Sequence, residues 1–242
     1  MVVMMSVWTG HFLGGFAGQS SPSLQFNWHP LLLTISLIYL YGNGILIYRI
    51  GRNERKSRLK VAHAIGKYWF LFLFLRRSFY LSSVMACATI LACFGIKAAF
   101  DSHSLAQPPI PHSYSLHSWA GILTISMAIA QWCLGLVTFL WPGLASHLRS
   151  FFLPIHIFFG LTIFILASAT ALMGITEKAF FKLKDEYKVL VSIEFIFIND
   201  LAFYQEKNSE GTLVNLLGLS IIIFTVLVLG LVSKQSFKRL NR

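Results

Sequence analysis

Five long apolar stretches constrain this chain more than any other feature of its sequence. They cover residues 30–48, 84–100, 119–141, 153–174 and 213–232. A helix needs about 20 mostly apolar residues to cross the hydrocarbon core of a bilayer, so each stretch is predicted to be a membrane-spanning helix. Charged residues make up 12% of the 242-residue chain, about half the share found in soluble domains. The sequence therefore predicts an all-α membrane protein.

A sixth apolar stretch, residues 2–17, is shorter and begins at the first methionine. It has the length of the apolar part of a signal peptide, but the basic segment that precedes such a part is missing. We interpret it as the end of a first span whose beginning is missing. The prediction is then a six-helix membrane bundle that forms one domain, residues 1–242, in contact with the lipid bilayer.

The basic residues are concentrated on one side of the predicted bundle. Residues 49–60 contain six of them, residues 143–152 contain one and residues 234–242 contain four, which is eleven of the 20 Lys and Arg. Residues 18–28, on the opposite side, carry no charge. Loops rich in Lys and Arg stay in the cytosol, so both termini are predicted to be cytosolic. The net charge of +11 then reflects topology, and no nucleic-acid partner is expected.

Four of the eight histidines lie at the entries of four different spans: His29, His63, His117 and His156. The other four are predicted to lie in the first stretch or in loops. An ionisable residue inside a membrane is costly and indicates a functional site. Because successive spans run in opposite directions, His29 and His117 should lie near the outer surface, and His63 and His156 near the inner surface.

Two histidines on facing helices suit a haem iron held from both sides. Zinc usually takes further ligands, and the sequence has no Cys, Asp or Glu at these depths. Two haems, one near each surface, would divide the crossing of an electron into short steps. The alternatives are a non-redox transporter or channel whose histidines relay protons, and a chain that binds only the outer haem.

Six short strings occur along the chain in a characteristic order. They are FNWHP (residues 26–30), ILIYRIGRNE (45–54), FDSH (100–103), YSLHSW (114–119), PIHIFFG (154–160) and EGTLVNLLG (210–218). In this order they resemble the cytochrome b561 family, which are six-span, dihaem, ascorbate-dependent transmembrane reductases. The resemblance extends over almost the whole chain.

The resemblance implies two haem b groups. His29 and His117 match the ligands of the non-cytoplasmic haem, and His63 and His156 match those of the cytoplasmic haem. It also implies an oxidoreductase that transfers electrons from cytosolic ascorbate to monodehydroascorbate or a ferric chelate. No catalytic residues are expected beyond the haems and their ligands.

Substrate contacts are likewise implied by the resemblance. The residues that match the family's ascorbate contacts are Lys56, Lys60 and Arg149, and those that match contacts to the outer acceptor are His103 and Tyr114. Phe139 stands where the family often has a tyrosine. Relatives often form dimers, so a homodimer is expected, in an endolysosomal, secretory-vesicle or plasma membrane.

Two segments have no counterpart in the family, residues 66–83 and 188–205. Both are rich in Phe, Ile and Leu, and the first interrupts the span that begins near His63. We hypothesise that both are translated introns or errors of the gene model. Sequencing the mature transcript tests this hypothesis, which fails if most messages encode both segments.

Overall fold

The computed structural model describes residues 1–50, 84–140, 144–184 and 209–234. These residues form a bundle of helices, and no strand occurs among them. The helices are α1 (Val2–Val7), α2 (Pro22–Gln25), α3 (Trp28–Leu33), α4 (Tyr41–Ile50), α5 (Val84–Leu105), α6 (Leu116–Gly135), α7 (Ser146–Leu183) and α8 (Ser209–Ser233). Three π-helical stretches continue α1, α3 and α6: Trp8–Phe12, Thr34–Leu40 and Leu136–Leu140.

Five helical segments of the described chain are long and apolar enough to cross a bilayer. They are Pro22–Leu46, Met85–Leu105, Leu116–Phe139, Ser146–Leu183 and Ser209–Ser233. Each contains most of one apolar stretch predicted from the sequence, which confirms a multi-pass, all-α membrane protein. The sixth predicted segment is a shorter apolar helix, Val2–Phe12.

The helix α7 is much longer than the apolar stretch that predicts it. It has 38 residues and is about 57 Å long, whereas the hydrocarbon core of a bilayer is about 30 Å thick. Apolarity marks only the part of a helix that lipid covers, so polar turns at both ends escaped prediction. For this reason the prediction that His103 and His147 lie in loops was wrong, because they lie in α5 and α7.

The core of the bundle forms where α7 and α8 pack on each other and on the segment that contains α3 and α4, and where α8 also packs on α1. Phe164 of α7 and Leu217 and Ile221 of α8 are completely buried there. On the outward faces of α7 and α8, large side chains are exposed, for example Phe158 at 63% and Val226 at 61%. Apolar side chains in such numbers on an outer surface are expected where lipid is the solvent.

A buried polar contact joins the first helical segment to the last helix. The indole Nε1 of Trp8 donates a hydrogen bond of 2.8 Å to Oε1 of Glu210, and both side chains are buried. A hydrogen bond to a charged group is worth about 1.5–3 kcal/mol. Glu210 is the second residue of α8, so this contact fixes the start of α8 against the first segment.

The substitution Trp8→Phe is expected to lower the free energy of unfolding by about 2 kcal/mol, because it removes the indole donor while keeping an aromatic ring. Thermal unfolding in detergent, followed by circular dichroism, measures this loss. The control is Trp119→Phe, at a ring that is 67% exposed, which should change stability by less than about 0.5 kcal/mol. Equal shifts for the two variants would contradict a role for the Trp8–Glu210 contact.

Candidate functional site

The structure brings two of the predicted histidines together. His29 is the second residue of α3 and His117 is the second residue of α6. Their ring centroids are 6.0 Å apart and the ring planes are nearly perpendicular, at 85°. We call this side of the bundle the His117 end. The prediction from alternating spans that these two histidines lie at one level agrees with this geometry.

Each of these rings is held by a carbonyl group of another helix. His29 Nδ1 lies 3.1 Å from the carbonyl oxygen of Gly95 in α5, and His117 Nδ1 lies 2.9 Å from that of Thr170 in α7. A carbonyl oxygen can only accept, so each Nδ1 is the donor, which leaves Nε2 as the ring nitrogen that is available to a metal. This is the arrangement by which proteins orient histidines that bind metals.

Glycine at position 174 makes room for the His117 ring. A Cβ atom on Gly174 would lie 2.5 Å from Cε1 and 2.8 Å from Nδ1 of His117, which is closer than real contacts allow. Gly174 also lies four residues after Thr170, where a side chain would cover the carbonyl group of Thr170. The missing side chain therefore gives His117 both its space and its hydrogen-bond acceptor.

A similar arrangement surrounds His156 in α7. A Cβ atom on Gly135 of α6 would lie 2.8 Å from Cε1 of His156. Gln131, one turn earlier in α6, donates a hydrogen bond of 2.5 Å from Nε2 to the backbone carbonyl of His156. Phe139 contacts the ring edge-to-face, with 5.1 Å between centroids. We call this side of the bundle the His156 end.

The two ends are far apart along the helices. Gly135 follows His117 by 18 residues in the chain, and Gly174 follows His156 by the same interval. At 1.5 Å per residue this interval is about 27 Å. The helices α6 and α7 therefore present one histidine and one facing glycine at each end, at a separation close to the thickness of the hydrocarbon core, about 30 Å.

Comparison with known proteins identifies the family. The profile of eukaryotic cytochrome b561 matches residues 28–78 and 76–182. The transmembrane ascorbate-dependent reductase CYB561 of Pongo abelii is 38% identical over 239 residues, which cover 99% of this chain and 80% of the relative. The chain belongs to the eukaryotic cytochrome b561 family.

The names of two further relatives specify different membranes. The lysosomal membrane ascorbate-dependent ferrireductase CYB561A3 of Bos taurus is 35% identical, over 99% of this chain and 78% of the relative. The plasma membrane ascorbate-dependent reductase CYBRD1 of Rattus norvegicus is 33% identical, over 98% of this chain and 71% of the relative. The predicted resemblance to the cytochrome b561 family is thereby confirmed.

The geometry at the His117 end fits the haem that this cytochrome b561 family implies. Two metal–imidazole bonds of about 2 Å, plus the distance from each nitrogen to its ring centre, span about 6 Å. The ring centroids of His29 and His117 are 6.0 Å apart, and both Nε2 atoms are available to a metal. Two imidazoles from facing helices are a sufficient protein donor set for a haem iron.

Several residues that the cytochrome b561 resemblance predicts to be functional lie outside the described residues. They are Lys56, Lys60 and His63, and the same is true of both suspected insertions, residues 66–83 and 188–205. Arg149 is described and lies in the first turn of α7, seven residues before His156. Of the five residues predicted for the donor side, the structure therefore describes two, His156 and Arg149.

The predicted acceptor contacts lie at the His117 end. His103, in the last turn of α5, stacks on Phe26 with 6.1 Å between ring centroids. Tyr114 precedes α6 and is 53% exposed. Partial burial, and after it the charge and hydrogen bond of Glu177, raise the pKa of Tyr114, so its phenol is protonated at neutral pH and donates to that carboxylate.

A polar contact that the sequence did not predict joins the start of α6 to the C-terminal part of α7. Ser115 caps α6 by accepting a hydrogen bond from the backbone N–H of Ser118. Its hydroxyl also donates to Oε2 of Glu177 in α7, at 3.1 Å. A serine before an apolar helix predicts the N-cap, but the hydrogen bond from Ser115 to Glu177 depends on how α6 and α7 pack.

Proposed function

We propose that this protein transfers electrons across a membrane, from ascorbate at the His156 end to an acceptor at the His117 end. The observation that carries this proposal is the pairing of His29 and His117 at 6.0 Å, with both Nδ1 atoms engaged by carbonyl groups. A haem bound there supplies a centre that gains and loses single electrons. The acceptor is monodehydroascorbate, as the family resemblance implies, or a ferric chelate, as the name of the ferrireductase relative suggests.

We propose two haem b sites, one near each surface. His29 and His117 would hold the first, and His63 and His156 the second. The glycine that faces His156 and the interval of about 27 Å between the two ends of α6 and α7 support this count. With one site near each surface, neither surface is separated from a redox centre by the full thickness of the bilayer.

The donor side of the proposal rests on charge. Ascorbate is an anion at neutral pH, and a cationic rim concentrates and orients an anion. The family resemblance assigns that rim to Lys56, Lys60 and Arg149. Arg149 lies in the first turn of α7, where the helix dipole also favours an anion. Lys and Arg mark cytosolic loops, so the His156 end and both termini are proposed to face the cytosol.

The His117 end is then non-cytoplasmic, with His103 and Tyr114 next to the acceptor. Among the relatives, the names of two specify a lysosomal and a plasma membrane, and both are consistent with a secretory or endolysosomal route for this protein. The homodimer expected from the resemblance stays a prediction.

Proteoliposomes test the proposed function. Vesicles that contain the protein are loaded with ascorbate, and ferricyanide, which does not cross lipid, is added outside. We expect the protein to accelerate the loss of ferricyanide well above the rate of protein-free vesicles and of vesicles without ascorbate. A rate equal to that of protein-free vesicles would contradict electron transfer and favour the proton-relay alternative.

A further inference from the structure

A series of aromatic rings runs from His29 to the surface at the His117 end. Phe26, one turn before His29, contacts the His29 ring with 5.6 Å between centroids. Phe26 also stacks on His103, with 6.1 Å between the ring centroids and 4° between the ring planes. His103 in turn stacks on His112 at 5.6 Å, and His112 is exposed. Phe26 therefore lies between the His29 ring and the exposed end of this series.

The ammonium group of Lys178 lies over this same ring. Its Nζ atom is 4.7 Å from the centroid of Phe26, within the range of a cation–π contact. Lys178 is four residues after Gly174 on α7, so it lies about 6 Å beyond the level of His117 along the helix. The positive charge is held by contact with the aromatic face next to the histidine pair.

Lys178 lacks an anionic partner among the residues that the structure describes. No carboxylate of that part of the chain lies within ion-pair distance of its Nζ atom. The neighbouring Glu177 accepts from Ser115 and Tyr114 instead. A half-buried ammonium group is costly without a partner, so an anion at this place would be stabilised by Lys178.

We propose that Lys178 binds the electron acceptor and selects for anions, so that an anionic ferric chelate or the monodehydroascorbate anion sits against Lys178 and His103 at the Phe26 ring. This inference rests on the function proposed above. The acceptor takes one electron, so an Fe(III) chelate leaves as an Fe(II) chelate, and ascorbate supplies that electron. A ferric chelate takes up no proton in this step, whereas the monodehydroascorbate anion takes one proton from water as it becomes the ascorbate anion. The ascorbate that donates the electron releases one proton.

The inference predicts which acceptors this end of the protein prefers. An ammonium group attracts ferricyanide, which is a trianion, and repels hexaammineruthenium(III), which is a trication. Lys182, one turn further along α7 and exposed, adds charge without contacting Phe26. The effect of Lys178 on acceptor binding should therefore depend on the sign of the acceptor's charge. It should also be larger than the effect of Lys182.

Steady-state kinetics with both acceptors test the inference. In Lys178→Gln we expect the KM for ferricyanide, relative to that for hexaammineruthenium(III), to rise about tenfold, since one charge-assisted contact is lost. Lys178→Arg keeps the charge and should restore most of the preference. The matched control, Lys182→Gln, removes the same charge without a contact to Phe26 and should change the ratio much less. Equal effects of the two glutamine variants, or none, would overturn the inference.

A binding measurement separates this inference from the proposed function. Redox-inert hexacyanocobaltate(III) has the charge and shape of ferricyanide, and calorimetric titration of the oxidised holoprotein measures its affinity without any electron transfer. We expect Lys178→Gln to weaken it about tenfold. If affinity depends on Lys178 but no acceptor is reduced across vesicles, the proposed function fails, and only the anion site at Lys178 stands. If acceptors are reduced but the affinity for hexacyanocobaltate(III) is the same in Lys178→Gln as in the unchanged protein, the inference alone is overturned.

Discussion

Replacing Gly174 with alanine is expected to remove the haem proposed at the His117 end and to leave the haem proposed at the His156 end in place. The added Cβ atom would lie 2.5 Å from Cε1 of His117, so the ring must move. Moving it breaks the hydrogen bond to the carbonyl oxygen of Thr170 and changes the position of the ring relative to His29, from which it is 6.0 Å away between centroids. Outer contacts of a metal ligand typically affect affinity by 10–100-fold, and here the ligand itself is displaced.

The substitution Gly135→Ala should have the opposite effect, because its Cβ atom would lie 2.8 Å from Cε1 of His156. Haem-to-protein ratios and reduced-minus-oxidised spectra of both variants measure the outcome. Each variant is expected to lose about half of the bound haem, and the missing spectral component should differ between them.

Two further glycines serve as controls for the effect of an added methyl group. A Cβ atom on Gly121 would lie 3.6 Å from Cγ2 of Thr170, and one on Gly218 would lie 3.5 Å from Cδ2 of Leu172. Both distances are ordinary contacts, so Gly121→Ala and Gly218→Ala should keep all of their haem. Full haem content in Gly174→Ala, or loss of the same component in Gly174→Ala and Gly135→Ala, would contradict this account of the two ends.

The common level of His29 and His117 along the bundle could be predicted from the sequence. In lipid the backbone must satisfy its own hydrogen bonds, so long apolar stretches become helices and successive ones run in opposite directions. That alternation alone places His29 and His117 at one end. Their contact in the structure follows from this simple constraint.

The groups that hold the histidines could not be predicted in the same way. Gly95, Gly135 and Gly174 each face a histidine of another helix, and the sequence does not fix how far one helix slides along another. The equal interval of 18 residues from His117 to Gly135 and from His156 to Gly174 is the signal that could have revealed two of them. It indicates two helices in antiparallel contact.

The ends of the helices also escaped prediction, because hydropathy reports the lipid-covered part of a helix and not its last turns. The stacking of His103 on Phe26 and the position of Lys178 over that ring depend on such turns of α5 and α7. The contact between Trp8 and Glu210, which are 202 residues apart, depends on tertiary packing in the same way.

The central claim is that His29 and His117 bind one and the same iron. The most direct measurement compares the haem-to-protein ratio of His29→Ala, His117→Ala and the double variant, with protein stability followed in parallel. If both side chains hold one haem, each single variant loses it and the double variant loses no more, so all three keep the same remaining haem with the same spectrum. A double variant that loses twice as much haem as either single variant would show that the two histidines serve different sites, and it would contradict the account.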